Sequence, residues 1–371
     1  MKSSTSRRKI LQGIAAASVL GPSLRAADMP DLNLERTGVP KLCLEMGNGG
    51  LAAGAIDAEG CRRVKQLGVN HVIAGGPRIP WEESQLRSTM DTLAAGGLTL
   101  GNLMMGGFRN TIYGRPGRDE EIAKVQQSIR VAGKVGLPVI EYNFYAHRAA
   151  EGYYAEVDTK RGGAGWTAFD YARVKDLPPL PQEGAHTLEE MWANITYFLK
   201  AVVPVAEQSG VRLALHPNDP PAPISRGSQQ IMGAVEGWKR LIEIVPSKSN
   251  GITFDCGVTR EMGHDPVEVC RYFGTKDRIN HVHYRNVRVS VPNEKYAEVF
   301  IDEGANNMYA VMKELVRLKY PRLVYPEHPR ALDADLERAN FKPGYPGGGG
   351  YTAFAYNVGY AKAMLQAALV T

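Results

Sequence analysis

The sequence has few cysteines and no long apolar run after its first residues. Its 371 residues include four cysteines, none of them in a Cys-x-x-Cys pair, so neither a disulfide scaffold nor a zinc ribbon is indicated. No segment is apolar over the roughly 20 residues that a transmembrane helix needs, so we expect no membrane anchor. No Gly-x-Gly-x-x-Gly motif follows the first predicted strand, which disfavours a dinucleotide-binding open sheet.

The excess of positive charge comes from the first 27 residues. The whole chain has 44 Lys and Arg against 39 Asp and Glu. Residues 1–27 hold five of the cations and no acid, so residues 28–371 are balanced at 39 of each sign. A neutral protein gives no electrostatic reason to expect nucleic acid as a partner.

Residues 1–27 have the pattern of an export signal. They contain the twin-arginine stretch SRRKIL, a short apolar run and then small residues up to Ala27. The run is too short to span a bilayer, which distinguishes a cleaved signal from an anchor. The pattern predicts a periplasmic or secreted protein. The alternative is a basic amphipathic start of the first helix.

Apolar strand-like runs alternate with helical segments along residues 28–371. Alternation of this kind indicates a parallel sheet, and eight such units predict a single α/β domain with the fold of a (β/α)₈ TIM barrel. A doubly wound open sheet is the alternative. The predicted strands are 41–46, 70–75, 98–105, 137–144, 211–216, 251–255, 279–286 and 322–327.

One connection is much longer than the others. Residues 145–187 follow the fourth predicted strand and include YYAEVDTKRGGAGW and a proline-rich stretch. Long connections in compact domains are usually functional or disordered. The tyrosine and tryptophan content favours a lid with its own packing.

Metal-binding side chains stand at the ends of four successive strands. His216 ends the fifth strand. The prolines that follow it cannot donate to a strand ladder, so the strand stops there. Asp255, His283 and Glu327 hold the matching positions of the next three strands. Because barrel enzymes place their chemistry at this end of the strands, the four residues predict a site for a divalent ion such as Mn²⁺ or Fe²⁺.

Asp255 and Cys256 are adjacent candidates for the same ligand position. Successive residues of a strand point to opposite faces, so only one of the two can point at the ion. The strand-end pattern favours Asp255. His281 and His283 lie on one face of their strand, and either imidazole could bind the metal.

One stretch, NITYFLKAVVPVAEQSGVRLALHPNDPPAPI, includes His216. It resembles the mannonate dehydratase family, which converts D-mannonate to 2-keto-3-deoxy-D-gluconate, and it is the most specific of several such motifs. The resemblance continues, in the same order as in the family, through GITFDCG, RINHVHYRNV, PEH and GYTAFAYNVGYAKAM. It covers most of residues 137–365 and implies a (β/α)₈ barrel that binds one Mn²⁺ or Fe²⁺ ion.

The resemblance also implies roles for individual residues. It makes His216, His283 and Glu327 metal ligands. It gives Arg285 and His328 substrate-handling or acid/base roles and places Tyr351 near the reacting centre. We expect three further polar residues near the strand ends to bind the substrate: Asn143, Asn218 and Asp219.

The chain departs from the family pattern at two ligand positions. The family's thiolate position falls on Asp255, and Glu327 stands where the family has aspartate. These two departures strengthen the main alternative function, a metal-dependent sugar isomerase or epimerase. An exported sugar-acid binding protein is a third. All three readings imply a small sugar or sugar acid as ligand, and a homo-oligomer is compatible with each.

Overall fold

The computed structural model describes residues 33–47, 54–157, 161–339 and 341–370. The predicted export signal, residues 1–27, lies outside them. Within the described ranges, no helix is both long enough and apolar enough to cross a membrane.

Eight parallel strands close into a barrel in the order β1-β14-β11-β10-β7-β4-β3-β2. Six further strands lie outside it. The strands are β1 (Lys41–Met46), β2 (His71–Gly75), β3 (Thr99–Met105), β4 (Val139–Tyr142), β5 (Tyr153–Val157), β6 (Gly165–Asp170), β7 (Arg212–Leu215), β8 (Ile224–Ser225), β9 (Ser228–Gln229), β10 (Asn250–Asp255), β11 (Ile279–His283), β12 (Val287–Val291), β13 (Lys295–Glu298) and β14 (Leu323–Tyr325).

Helices follow the barrel strands and surround the barrel. They are α1 (Ala58–Gln66), α2 (Glu83–Ala95), α3 (Arg109–Tyr113), α4 (Arg118–Val135), α5 (Leu188–Gln208), α6 (Val235–Ile244), α7 (Cys256–Glu261), α8 (Pro266–Thr275), α9 (Met308–Arg317), α10 (Asp333–Leu336) and α11 (Tyr351–Val370). The predicted (β/α)₈ barrel is confirmed, and each of the eight predicted strands supplies one barrel strand.

Local signals explain why the long helices begin and end where they do. Thr187 and Glu190 form a capping box at the start of α5 and satisfy backbone N–H groups that the first turn leaves free. Gly136 ends α4 in the left-handed conformation that favours glycine. The core-facing side of α5 is apolar, and Ile195, Leu199 and Val202 are fully buried.

A second, antiparallel sheet lies at the carboxyl end of the barrel, in the order β12-β13-β6-β5. Strands β5 and β6 come from the long 145–187 connection, and β12 and β13 follow barrel strand β11. Thr167 of β6 pairs with Glu298 of β13. Phe169 and Tyr296 stack with ring centroids 5.2 Å apart in a small apolar cluster beneath this sheet. The 145–187 connection is therefore largely a packed layer and not an open loop.

Candidate metal centre and active site

A cavity of about 310 Å³ lies at the carboxyl end of the barrel strands. This is the end at which barrel enzymes place their chemistry. The residues that line it are Glu45, Ile73, Ala74, Gly75, Asn102, Met104, Glu141, Asn143, Tyr145, Arg148, His216, Asp219, His283, Tyr325, Glu327 and His328.

Three of the four predicted metal ligands line this cavity, and the fourth, Asp255, is fully buried beside them. His216 Nε2 lies 3.1 Å from His283 Nδ1. Glu327 Oε1 lies 3.1 Å from the same nitrogen, and Asp255 Oδ2 lies 4.0 Å from it. The four residues stand at or just beyond the ends of β7, β10, β11 and β14, which are neighbours in the barrel. Adjacent strand ends therefore explain why the four side chains meet.

The protonation of these side chains suits a bound cation. His216 Nδ1 donates to Pro217 O at 2.7 Å, which leaves the lone pair of Nε2 directed at the cluster. Burial, with the neighbouring His283, lowers the pKa of His216 to about 4, so the ring is neutral at physiological pH. Burial lowers the pKa of His283, but the carboxylates of Glu327 and Glu141 outweigh it and raise that pKa to about 10. A cation between the four residues would take the place of the proton on His283 Nδ1.

A buried carboxylate oxygen supports the same assignment. Glu327 Oε1 has ion-pair contacts with His283 Nδ1 at 3.1 Å and Arg285 Nε at 3.2 Å but no hydrogen bond within the described residues, and a buried carboxylate oxygen needs a cation or a donor. Ligand atoms of His216, Asp255 and His283 lie within 4.8 Å of one another. Two imidazoles with two carboxylates form a donor set suited to a divalent ion such as Mn²⁺ or Fe²⁺. The residues present therefore fit the predicted metal.

The structure places Asp255, and not Cys256, beside these ligands. Asp255 ends β10, where its Oδ1 accepts from Val258 N and caps α7, while Oδ2 faces His283 and Arg285. Cys256 is the first residue of α7, and its fully buried side chain belongs to the apolar core. Burial raises the pKa of the Cys256 thiol well above its usual range, so the side chain is a neutral thiol.

Arg285 does not line the cavity, which corrects its predicted role in handling substrate. Its guanidinium is buried behind the metal ligands, where Nε lies 3.1 Å from Asp255 Oδ2 and 3.2 Å from Glu327 Oε1. Nη1 donates to Glu261 Oε1 at 2.7 Å. Since carboxylates of the protein itself surround it, Arg285 balances the negative charge of the centre and orients two ligands.

His328 lines the cavity and is held by a second carboxylate. Its Nδ1 donates to Glu298 Oε2 at 2.9 Å, and its Nε2 lies 3.6 Å from Glu327 Oε2. Burial lowers the pKa of His328, but Glu298 and Glu327 outweigh it and raise that pKa overall. The backbone φ of His328 is 47°, a left-handed value uncommon for residues other than glycine.

The tyrosine beside His328 is Tyr345 and not Tyr351. The Tyr345 and His328 rings have centroids 4.8 Å apart, and Tyr345 lines a smaller cavity that also includes His328. Tyr351 lies in the first turn of α11, where its hydroxyl donates to Arg63 O at 2.9 Å and Arg63 stacks on its ring. The prediction for Tyr351 is wrong because the first turn of α11 directs its side chain towards α1.

Two of the three predicted substrate-binding residues line the cavity. These are Asn143 and Asp219. Asn218 does not, because its side-chain oxygen accepts from Met232 N at 2.8 Å and its backbone N donates to Met232 O. Asn218 thus has a structural role, which is to fix the loop that follows His216.

Two charged residues of the cavity were missed by sequence reasoning. Arg148 lies in the 145–187 connection and holds Asp219 through Nε to the backbone oxygen at 2.7 Å and Nη2 to Oδ2 at 3.3 Å. Glu141 lies inside β4, where its side chain is 2% exposed. A carboxylate within the apolar run LPVIEYNF was the available signal for Glu141. The sequence held no comparable signal for Arg148, because only the folded chain brings the 145–187 connection over the barrel.

Comparison with known proteins agrees with this geometry. A family model described as D-mannonate dehydratase (UxuA) matches residues 182–369. The mannonate dehydratase of Streptococcus pneumoniae (strain 70585) is 29% identical over 256 residues, which cover 62% of this chain and 69% of that protein. The mannonate dehydratase of Thermotoga petrophila is 28% identical over 323 residues, covering 76% of this chain and 88% of that protein.

A solved structure shares the fold. The crystal structure of the mannonate dehydratase from Streptococcus suis serotype 2 matches with a TM-score of 0.77, over 89% of this chain and 95% of that one. The sequence identity is 24%, so this match shows a common fold.

Proposed function

Because the chain belongs to the D-mannonate dehydratase (UxuA) family, we propose that it is a hydro-lyase that converts D-mannonate or a related aldonate to 2-keto-3-deoxy-D-gluconate. The observation that carries the proposal is the convergence of His216, Asp255, His283 and Glu327 at the cavity. This donor set lies where a barrel enzyme meets its substrate.

The four residues would hold one Mn²⁺ or Fe²⁺ ion. When bound there, the cation acts as a Lewis acid on substrate oxygens and stabilises the negative charge that develops next to the carboxylate. Glu327 and Asp255 supply the hard oxygen ligands that favour these ions over softer ones. Arg285 Nε lies 3.1 Å from Asp255 Oδ2 and 3.2 Å from Glu327 Oε1, so its positive charge opposes the effect of burial on both carboxylates and orients them.

The reaction needs one proton removed from C2 and one delivered to the departing hydroxyl on C3. His328 lines the cavity, with Nδ1 held by Glu298, so its Nε2 is the ring nitrogen that can exchange a proton with substrate. Tyr345 packs against that ring, its hydroxyl donates to Pro329 O at 3.1 Å, and burial raises the pKa of that hydroxyl, so it stays neutral. We assign proton transfer to His328, against which Tyr345 packs.

Among the described residues, one arginine lines the cavity. Arg148 lines it with a side chain 46% exposed, whereas Arg285 is enclosed by carboxylates. An arginine fork matches the geometry of a carboxylate. We therefore assign recognition of the sugar-acid carboxylate to Arg148, with Asp219 orienting its guanidinium.

The direct test is to incubate metal-loaded protein with D-mannonate and with a panel of other aldonates and ketoses. We expect a 2-keto-3-deoxy product from D-mannonate or a close relative, lost on chelation and restored by Mn²⁺ or Fe²⁺. Interconversion of ketoses without loss of water would indicate an isomerase or epimerase. Tight binding without any turnover would indicate a binding protein.

We also propose that the enzyme is exported through residues 1–27. The twin arginines, the short apolar run and the absence of acids support this. Fractionation of cells that express the full chain should find shortened protein outside the cytoplasm, and replacement of Arg7 and Arg8 by lysine should retain it inside. Full-length protein in the cytoplasm of both strains would refute the proposal.

A further inference from the structure

A carboxylate lies within the barrel, directly behind one of the metal ligands. Glu141 is in the middle of β4, between the fully buried Ile140 and the buried Tyr142, and its side chain reaches the base of the cavity. A buried carboxylate is costly unless donors or cations surround it. The contacts of Glu141 therefore indicate its function.

Side chains from β3 and β10, on either side of β4 in the barrel, hold the Glu141 carboxylate in one orientation. Asn102 of β3 donates from Nδ2 to Oε2 at 3.0 Å, and Thr253 of β10 donates from Oγ1 to Oε1 at 2.7 Å. Asn102 Oδ1 also accepts from the backbone N of Glu141 at 3.0 Å, so the amide cannot turn without loss of that bond. The carboxylate is thus fixed before any ligand binds.

The same carboxylate faces the edge of His283 that points away from the other metal ligands. Oε1 of Glu141 lies 3.4 Å from His283 Nε2. His283 Nδ1, on the opposite edge of the ring, faces His216 and Glu327 at 3.1 Å each. Nε2 is buried and makes no hydrogen bond within the described residues, so Glu141 Oε1 is the acceptor that its N–H faces.

We propose that Glu141 is a positioning residue for His283. It accepts the Nε2–H of the ring and so fixes the tautomer in which the Nδ1 lone pair is available to a cation, while Asn102 and Thr253 hold Glu141 itself. Metal-binding histidines commonly donate their second N–H to a carboxylate, which orients the ring and raises its basicity. The inference rests on the metal centre of the proposed function but not on its reaction.

His281 is a competing partner for Glu141. Its Nε2 lies 3.9 Å from Glu141 Oε2, and neither of its ring nitrogens has a hydrogen bond with any described residue. Glu141, His281 and His283 could alternatively hold a second cation. The amount of metal bound per chain separates the two arrangements, because positioning of His283 requires only one ion.

The test measures Mn²⁺ binding without substrate, by the loss of the free-ion EPR signal, so that a wrong reaction assignment would not affect it. We expect one site in the parent. Glu141→Leu, which removes the acceptor, should weaken affinity roughly 10- to 100-fold. Glu141→Gln keeps an acceptor oxygen, so its Mn²⁺ affinity should lie between those of Glu141→Leu and the parent. Ile140→Val is the matched control, because it alters the adjacent buried residue on the other face of β4. The Mn²⁺ affinity of this variant should equal that of the parent.

Thr253→Val provides a second route if the Glu141 variants do not fold. It removes one donor to the carboxylate and keeps the charge, so a several-fold loss of Mn²⁺ affinity is expected. Unchanged affinity in the Glu141→Leu or Thr253→Val protein would overturn the proposal. So would equal losses in Glu141→Leu and Glu141→Gln, which would indicate charge alone, or a second Mn²⁺ ion per chain in the parent.

Discussion

At the scale of the residue, the centre depends on side chains that each make two kinds of contact. Asp255 caps α7 with one carboxylate oxygen and faces His283 and Arg285 with the other. Burial raises the pKa of Asp255, while the Arg285 guanidinium opposes that effect. Removal of any one charge therefore leaves another buried charge without its partner, which typically costs several kcal/mol.

Substitution at Asp255 and Cys256 should have opposite outcomes. We expect Asp255→Ala to lose metal and activity, and Cys256→Ser to retain metal and most activity. Asp255→Cys should still bind metal but favour a softer ion such as Zn²⁺ more than the parent does. Elemental analysis of the purified variants is the measurement. Loss of metal from Cys256→Ser together with full occupancy in Asp255→Ala would reverse the assignment.

His216→Ala should remove metal and activity together. His216 ends β7 and directs a neutral imidazole at the centre, so the variant loses a ligand outright. The fall in metal affinity should exceed the roughly 10- to 100-fold typical of changing an outer partner. Metal content and turnover are measured on the same preparation, and a variant with its full complement of metal would exclude His216 as a ligand.

Arg148→Met should impair substrate binding and leave the metal in place. A charged hydrogen bond contributes about 1.5–3 kcal/mol, which corresponds to roughly a 10- to 100-fold rise in KM for the sugar acid. Arg148→Lys keeps the charge but not the two-pronged geometry of the guanidinium, so its KM should lie between those of the parent and Arg148→Met. An unchanged KM in both variants would show that another group binds the carboxylate.

At the scale of the element, the 145–187 connection completes the cavity. It supplies Tyr145 and Arg148 to the cavity, and β6 pairs with β13, which carries Glu298. Arg161 of this connection is paired with Asp302 at 3.1 Å and stacks on Phe300. These contacts attach the connection to the segment that follows β13.

Bound substrate should protect this connection from protease. Residues 145–187 contain trypsin sites such as Arg173 and Lys175, both partly or fully exposed in the described structure. Because Arg148 lies in the same segment, a bound sugar acid should hold it against the barrel and slow cleavage there, while sites in the outer helices are cut at their former rate. Equal rates with and without ligand would show that the connection does not close over the site.

At the scale of the whole molecule, the sequence predicted the barrel because each element carries its own local signal. The predicted strand 41–46 coincides with β1, and the metal ligands were found because parallel strands end at one edge. Residues positioned by other parts of the fold were not found. Tyr345 and Glu141 depend on tertiary neighbours, and the error at Tyr351 arose because a motif does not give the direction of a side chain at a helix start.

The most direct test of metal-dependent dehydration is the NMR spectrum of the product formed from D-mannonate in D₂O. Loss of water gives an enol, and its conversion to the ketone takes up one hydrogen from solvent at C3. We expect metal-loaded protein to give 2-keto-3-deoxy-D-gluconate with one deuterium at C3, and metal-free protein to give none. A sugar acid that keeps all its hydroxyls and carries deuterium only at C2 would contradict the account, because the same centre would then be that of an epimerase.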